Sequence, residues 1–465
     1  MVAKNLHGRT MILNDEVVVT DENILDILKG AIDDHEKNRS DIDYLWKYYK
    51  GEQPILERAK KIRPEICNRI VENRANEIVS FKVGYLCGEP IQYIGRSAEE
   101  YVSKAISVLN EMMFCENKAT QDKEVVEWQM ISGTAYRLVL PREETDEDSA
   151  PFEIYTLDPR DSFVIYSNEI GHKPILGVKY CTNDKNENIY SVYSEHHFWK
   201  IKNKEILESV DHALGMIPIF EYPANNARLG SFEIVLPLLD TINNLASNRM
   251  DGVEQFIQAF IKFVNCDIST EQFLELKEMG AIKVKSEEGR QADVDIVSSE
   301  LNQGQSQVLV DYMYQTVLTI CGMPNRNGGS STSDTGSAVL LRDGWSLAEA
   351  RAKDSELMFK KSEQQVLRLI LRICRDISGL PEEIYKLRLK DIALQFTRRN
   401  YENIQSKSQV LVSMLQQRKI HPRLAFEHCG MFTDPEDAYR ISKKYSDEQM
   451  SKVEQPLVEN DKKLI

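Results

Sequence analysis

Apolar and polar positions repeat along this chain with two different periods. Over residues 305–321, Val308, Tyr312, Gln315 and Thr319 stand against Leu309, Met313, Val317 and Ile320, a helical spacing that Gly322 and Pro324 stop. Residues 325–336 then carry only Asn, Gly, Ser, Thr and Asp with one Arg, so they predict a solvated tether. Residues 337–378 hold one glycine, Gly344, and no proline; Gly379 and Pro381 follow in the order that ends a helix. Such a helix would be about 60 Å long at roughly 1.5 Å per residue.

A second long helix is predicted over 231–264. Leu238, Ile242, Leu245, Val253, Phe256, Phe260 and Val264 make its apolar stripe, and Asp240, Asn243, Asn244, Ser247, Asp251, Glu254, Gln255 and Gln258 its wet face. Residues 265–302 between the two helices predict a helical piece (270–279) and two strands (281–285 and 294–297) around a Glu-Glu-Gly-Arg turn. That is a small αβ unit held between helices.

The first half of the chain mixes both periods. A short strand is expected at 16–19, then a helix capped by Thr20 or Asp21 and carrying Ile24, Leu25, Ile27, Leu28 and Ile32, then a second helix ending in 43–49. Tyr44, Trp46, Tyr48 and Tyr49 at helical spacing read as a packing face more than as a base-stacking platform. Residues 97–127 return to helix. From 133 to 202 the period is two, with strands at 134–140, 152–157, 163–166, 176–181, 190–193 and 196–201, an antiparallel sheet packed on the preceding helices. The acidic run 143–148 reads as a solvated hairpin tip. After Pro381, strands at 387–389 and 393–396 lead to helices carrying Val410, Leu411, Met414, Leu415, Leu424, Ala425 and Phe426, and Asp434-Pro435-Glu436 opens a last helix to Tyr445. From Ser446 the charged tail is expected to fray. The fold class is α+β.

Composition narrows the function. The 465 residues suffice for two to four domains, and a hydrophobic content of 42% is ordinary for a soluble protein with real cores. With 58 Lys and Arg against 73 Asp and Glu the net charge is −15, which argues against gripping nucleic acid over the whole surface. The eight cysteines form no CxxC pair, and His196 and His197, adjacent on a strand, point to opposite faces, so neither a zinc site nor a disulfide scaffold is indicated. Reduced cytosol is the expected setting. No apolar run reaches the roughly 18 residues of a membrane span, and no leader pattern opens the chain. The motifs GxxxxGK[ST], HExxH, GxSxG and GxGxxG are all missing, so no cofactor and no enzyme is expected.

The run Asn68-Arg69-Ile70-Val71-Glu72-Asn73, read as a helix, leads into Gly84-Tyr85-Leu86-Cys87-Gly88-Glu89-Pro90-Ile91, read as a strand. Together with Ile217-Pro218-Ile219-Phe220-Glu221-Tyr222 and the following Asn225 and Asn226, it resembles the SPP1-type portal proteins of tailed bacteriophages. The resemblance spans residues 41–445. It implies a portal fold with an N-terminal extension (1–40), a wing (41–230), stem helices (231–264 and 305–322) around a clip (265–304), a tunnel loop (323–336), a spine helix (337–379), a helical crown (380–445) and a flexible tail (446–465).

The resemblance also implies a homo-oligomeric ring of about 12 subunits at one capsid vertex. Double-stranded DNA would be packaged through it by the terminase motor and later ejected. Further implied partners are major capsid, scaffolding and head-completion (adaptor) proteins, with no membrane, in the virion and, during assembly, the host cytoplasm. In the tunnel loop, Asn325, Arg326, Asn327, Gly328, Gly329, Ser330, Ser331, Thr332, Ser333 and Asp334 would face the DNA. In the clip, Lys277, Lys283, Lys285 and Arg290 would meet terminase or adaptor. Arg398 and Arg399 suit ion pairs at a subunit contact. A metal-dependent DNA-processing nuclease and a capsid protein without a channel are the alternatives; the first needs several acids converging from different elements, and no spacing advertises them.

Overall fold

The computed structural model describes residues 3–4, 6–97, 99–143, 149–257, 260–264, 293–297, 303–325, 344–398, 404–432 and 435–453. Helix and strand are interspersed along the chain, as the α+β reading expects. Contacts divide the chain into two compact units, one of residues 1–5, 50–74 and 235–318, the other of 6–49, 75–234 and 319–465.

In the larger unit, helix α1 (Ile24–Tyr49) is a single element where two were expected. Its buried stripe of Ile24, Ile27, Leu28, Ala31, His35, Asn38, Ile42 and Leu45 keeps helical spacing throughout. Two of those positions are polar, so the stripe fades in its middle when only apolar residues are counted. The strand expected at 16–19 is instead β1 (Ile12–Asn14), where Ile12 pairs with Ile165 and enters the core while Val17 and Val18 stay exposed.

The strands expected between 134 and 201 are all present, but they form two sheets. One runs β1, β5 (Ser162–Ser167), β6 (Pro174–Thr182), β7 (Asn188–Tyr193), β8 (His197–Lys202), β9 (Glu205–Asp211), with only the β1–β5 pair parallel. The other has β3 (Thr134–Pro141) at its centre between β4 (Phe152–Leu157) and β10 (Ile219–Pro223). Strand β9 escapes a sequence reading because it is an exposed edge with no buried residue to set an alternation. The sheets touch at Gly177, where a Cβ would stand 2.8 Å from Ile217 Cγ2 and Ile219 Cβ. Residues 144–148, most of the expected acidic tip between β3 and β4, lie outside the described residues.

The segment read as a helix at 68–73 is extended, and helix α2 (Arg74–Cys87) begins where it ends. Gly84, Tyr85 and Leu86 therefore belong to a helix, and the strand after it is β2 (Gln92–Gly95). The expected helix at 97–127 is split into α3 (Glu100–Cys115) and α4 (Lys118–Ser132) by Asn117, whose φ of 51° no right-handed helix continues through. Late in the chain β13 (Ile392–Gln395) pairs antiparallel with β2, and residues 387–389 run into a short 3-10 turn instead of a strand.

In the smaller unit, helix α5 (Leu236–Ile257) ends seven residues before the expected 264. Phe260, Ile261, Phe263 and Val264 favour a strand, and β11 (Phe260–Val264) pairs antiparallel with β12 (Asp293–Val297). Residues 270–279 and 281–285 lie outside the described residues. Helix α6 (Gln303–Cys321) matches the expected 305–321. Back in the larger unit, the long helix α7 (Trp345–Asp376) is about 48 Å long at roughly 1.5 Å per residue. After α8 (Glu382–Lys386), helices α9 (Ile404–Leu415), α10 (Pro422–His428) and α11 (Pro435–Val453) share a small core of Leu411, Ala425, Phe426 and Cys429. Helix α11 continues past Tyr445 through the start of the tail, where Asp447, Glu448 and Gln449 break nothing and no Gly or Pro intervenes.

His35 reports on how α1 seats on the large sheet. Its ring stacks on Phe163 at 4.4 Å and its Nε2–H donates to the Arg160 carbonyl at 3.0 Å. Burial lowers its pKa from 6.5 to about 4. The folded chain thus stays neutral where the unfolded chain binds a proton, so stability is full above pH 6.5 and declines as the pH falls from there to about 4. Urea midpoints measured across that window are expected to flatten in His35→Phe; equal pH dependence in both proteins would contradict this assignment.

Candidate functional site

The expected tunnel loop is approached from both sides by well-defined residues. Helix α6 ends on buried Cys321, whose thiol donates to the Ser231 carbonyl at 3.6 Å, and the chain turns through Gly322 at φ 65° onto buried Met323. It re-enters at Gly344, whose φ of 81° and carbonyl bond from Ala348 N–H (3.1 Å) open α7. A Cβ on Gly344 would lie 3.6 Å from the Met323 oxygen and 3.7 Å from Pro324 Cα. The two ends of the excursion therefore stand side by side. Trp345, the first residue of α7, lies against Phe81 and Tyr85 of α2, with ring centroids 6.1 and 5.9 Å apart.

Arg398 ties this corner together. Its guanidinium holds Glu349 with two bonds, 2.7 and 3.0 Å, and also reaches Glu356, while the Tyr85 hydroxyl donates to Glu349 at 2.9 Å. The arginine expected at a subunit contact is thus paired within its own chain, because one helical face of α7 offers it two carboxylates seven residues apart. Arg399 lies outside the described residues.

Two turns further along α7, Glu363 is completely buried. It accepts from Arg137 Nη1 at 2.8 Å, Tyr93 OH at 2.6 Å, Lys118 Nζ at 3.0 Å and the Tyr222 hydroxyl. Arg137 Nη2 also donates to Asp122 Oδ1 at 2.8 Å, and Lys118 closes the ring on the same oxygen. Two cations and two anions cancel. Burial alone would raise the Glu363 pKa, but the charges of Lys118 and Arg137 and the Tyr222 and Tyr93 hydroxyls hold it well below the usual range. Burial likewise opposes the charge on Arg137, and Tyr222, Asp122 and Glu363 outweigh it, so its pKa stays above that of a free arginine. Glu363 is bonded from every side, which makes this a clamp between α7 and four other elements. Its signal in the sequence is a glutamate in the apolar row Phe359, Val366, Ile370.

A different device organises the smaller unit. Backbone N–H groups of alternate residues in the extended 68–73 segment donate to side chains one turn apart on α5: Asn68 to Asp251 (2.7 Å), Ile70 to Ser247 (2.9 Å) and Glu72 to Asn243 (2.8 Å). Arg58 and Lys60 pair with Asp251 at 2.9 and 3.0 Å. Asn243, Ser247 and Asp251, expected on a wet face, are therefore buried.

One constellation has the connectivity of a nucleophilic triad: Asp211 to His197 Nδ1 (2.6 Å) and His197 Nε2 to Ser209 (2.7 Å). The Ser209 hydroxyl, however, also lies 3.1 and 3.3 Å from the Asp21 carboxylate, whose charge would oppose an oxyanion forming there. It reads as a surface clasp joining β8 and β9 to the start of α1. Among the described residues no three His, Cys, Asp or Glu side chains cluster to hold a metal ion, and no helix is long and apolar enough to cross a membrane.

Residues 28–454 match the family described as "Phage portal protein, SPP1 Gp6-like". The chain belongs to this portal family. Its role is accordingly that of a portal, a structural connector of the phage particle. No curated protein matches the chain. Among solved structures, a chain from "Neck of empty GTA particle computed with C6 symmetry" is similar at 10% identity, covering 77% of this chain and 90% of that one, with a TM-score of 0.42.

Of the residues expected to act in this portal, Asn325 is described, at the point where the chain leaves Pro324. Arg326, Asn327, Gly328, Gly329, Ser330, Ser331, Thr332, Ser333 and Asp334 lie outside the described residues, as do Lys277, Lys283, Lys285 and Arg290. The described residues show what anchors the flanks of the expected loop.

The Glu363 clamp is testable by a double-mutant cycle. Glu363→Gln is expected to destabilise the larger unit by about 3–5 kcal/mol, since it leaves two buried cations sharing the single carboxylate of Asp122. Arg137→Met combined with Glu363→Met is expected to cost less than the two single changes summed, read as thermal midpoints. Additive effects would mean the charges do not act as one unit.

Proposed function

We propose that the chain assembles into a ring of about a dozen copies at the capsid vertex and that double-stranded DNA passes through its bore. The observation that carries this reading is apolar surface on the two stem helices. Val253 of α5 and Val308, Leu309 and Tyr312 of α6 are exposed in the single chain, and Val308 and Tyr312 share one helical face. Membership of the portal family supplies the partner class for that face, a neighbouring copy.

The charge supports transit. A ring of chains at −15 each repels the phosphate backbone, and screening over about 10 Å keeps the effect local to the wall, so DNA slides. The polar stretch rooted between Pro324 and Gly344 reaches the lumen, where Arg326, Asn327 and the Gly, Ser and Thr residues to Asp334 make weak phosphate contacts. Lys277, Lys283, Lys285 and Arg290 serve the terminase during packaging and the adaptor afterwards; the terminase supplies the ATP hydrolysis, scaffolding and major capsid proteins set the vertex, and ejection follows the same channel.

Native mass spectrometry with negative-stain images is expected to show a closed ring of about a dozen copies with an open centre. A chain that remains monomeric with and without scaffolding protein would remove the proposal. For the loop, Gly328→Pro or Gly329→Pro is expected to impair packaging or retention of DNA in particles whose rings still assemble; unaffected particles would count against a lumenal role.

A further inference from the structure

Beside the root of the loop, two cations line one cleft, and among the described residues neither is paired with an acid. Lys82 of α2 and Arg351 of α7 line a cleft of about 30 Å³ closed by Phe81, Leu86, Met130 and Gly322. Arg351 lays its stem where a Cβ on Gly322 would be, 2.7 Å from its Cγ, so the glycine is what admits it. Among the described residues neither side chain forms an ion pair. The carboxylates of α7 on this side, Glu349 and Glu356, are held by Arg398. Burial lowers the Lys82 pKa; the neighbouring Cys321 opposes this, and the Arg351 charge adds a smaller lowering of its own. Burial in turn pushes the Cys321 thiol up to about 11, so it offers Lys82 no thiolate.

A half-buried ammonium with no counter-ion among the described residues carries a desolvation cost, and the exposed Arg351 lining the same cleft adds like charge. The size of the cleft limits what can complete it. Room for about one water-sized group admits the tip of a carboxylate side chain but not the phosphate of a stiff duplex. The chain itself is rich in such groups, with 73 Asp and Glu.

We infer that Lys82 and Arg351 form a receptor for an aspartate or glutamate of a neighbouring copy of this chain, so that the charge is balanced only in the assembled ring. This rests on the ring reading above and adds to it a specific, polar contact at the root of the loop. Directional pairing there would fix the angle between neighbours, which an apolar stem face alone leaves loose.

The test is zero-length carbodiimide coupling on rings assembled from a mixture of 14N- and 15N-labelled chains, read by mass spectrometry. The expected result is an amide between Lys82 Nζ and an Asp or Glu peptide in mixed-isotope pairs, absent in Lys82→Arg, which keeps the charge and still assembles. Lys82→Met with Arg351→Met is expected to raise the concentration needed for assembly about tenfold or more while far-UV circular dichroism is unchanged. Rings that form normally but couple Lys82 only within one copy, for instance to Asp334 or Asp343, or not at all, overturn this inference and leave the ring reading intact. Chains that never assemble overturn both.

Discussion

The placement of α7 rests on one buried carboxylate. Glu363 gathers Arg137 from β3, Tyr222 from β10, Lys118 from α4 and Tyr93 from β2, so five elements that run in different directions share one point. Apolar packing alone tolerates a helix sliding by a fraction of a turn. Hydrogen bonds to charged groups do not, because each has a length and an angle. The Ser362 hydroxyl adds a bond to the Glu221 carbonyl at 2.7 Å on the adjacent strand, and Phe359 packs on Tyr222 one turn earlier. Once this turn is fixed, the start of the helix at Trp345 and the corner held by Arg398 follow by rigidity.

The smaller unit solves a related problem with uncharged donors. An extended chain advances about 6.6 Å per two residues and a helix about 6 Å per four residues, close enough for three successive bonds to keep step. The sequence behind this is Asn243, Ser247 and Asp251 at intervals of four on one side, against 68, 70 and 72 on the other. Short polar side chains suit it because they reach the backbone without spanning a gap. Asp251 at the end takes two further cations, and its pKa, which burial would raise, is brought down to about 2 by the Asn68 backbone and side chain, Lys60 and Arg58.

Most element types and their order were legible from periodicity, and the failures share a cause. The middle of α1 was lost because His35 and Asn38 occupy core positions, and the wet face of α5 was misread because a polar residue can be buried when its partner is backbone. The 68–73 segment has helical spacing in the sequence, but its alternate N–H groups are taken by another element. Asn117 gave no warning, since a left-handed residue is recognised by geometry and only weakly by type. The portal motifs identified the family correctly, although Gly84 to Cys87 turned out to be helix and not strand. The clamp itself was readable as a glutamate in an apolar row, but its partners come from four distant places and no local pattern links them.

The closeness of Gly344 to Met323 and Pro324 has a consequence for how such chains diverge. When both ends of a segment are pinned to the same spot, its length is uncoupled from the geometry of everything around it. Lengthening it costs only loop entropy, about 0.6 kcal/mol per doubling. Insertions and deletions there are thus nearly neutral for folding, whereas the same change two turns into α7 would rotate Glu363 out of reach of its partners. The stretch between Pro324 and Gly344 is free to change in length and sequence, with the scaffold holding still.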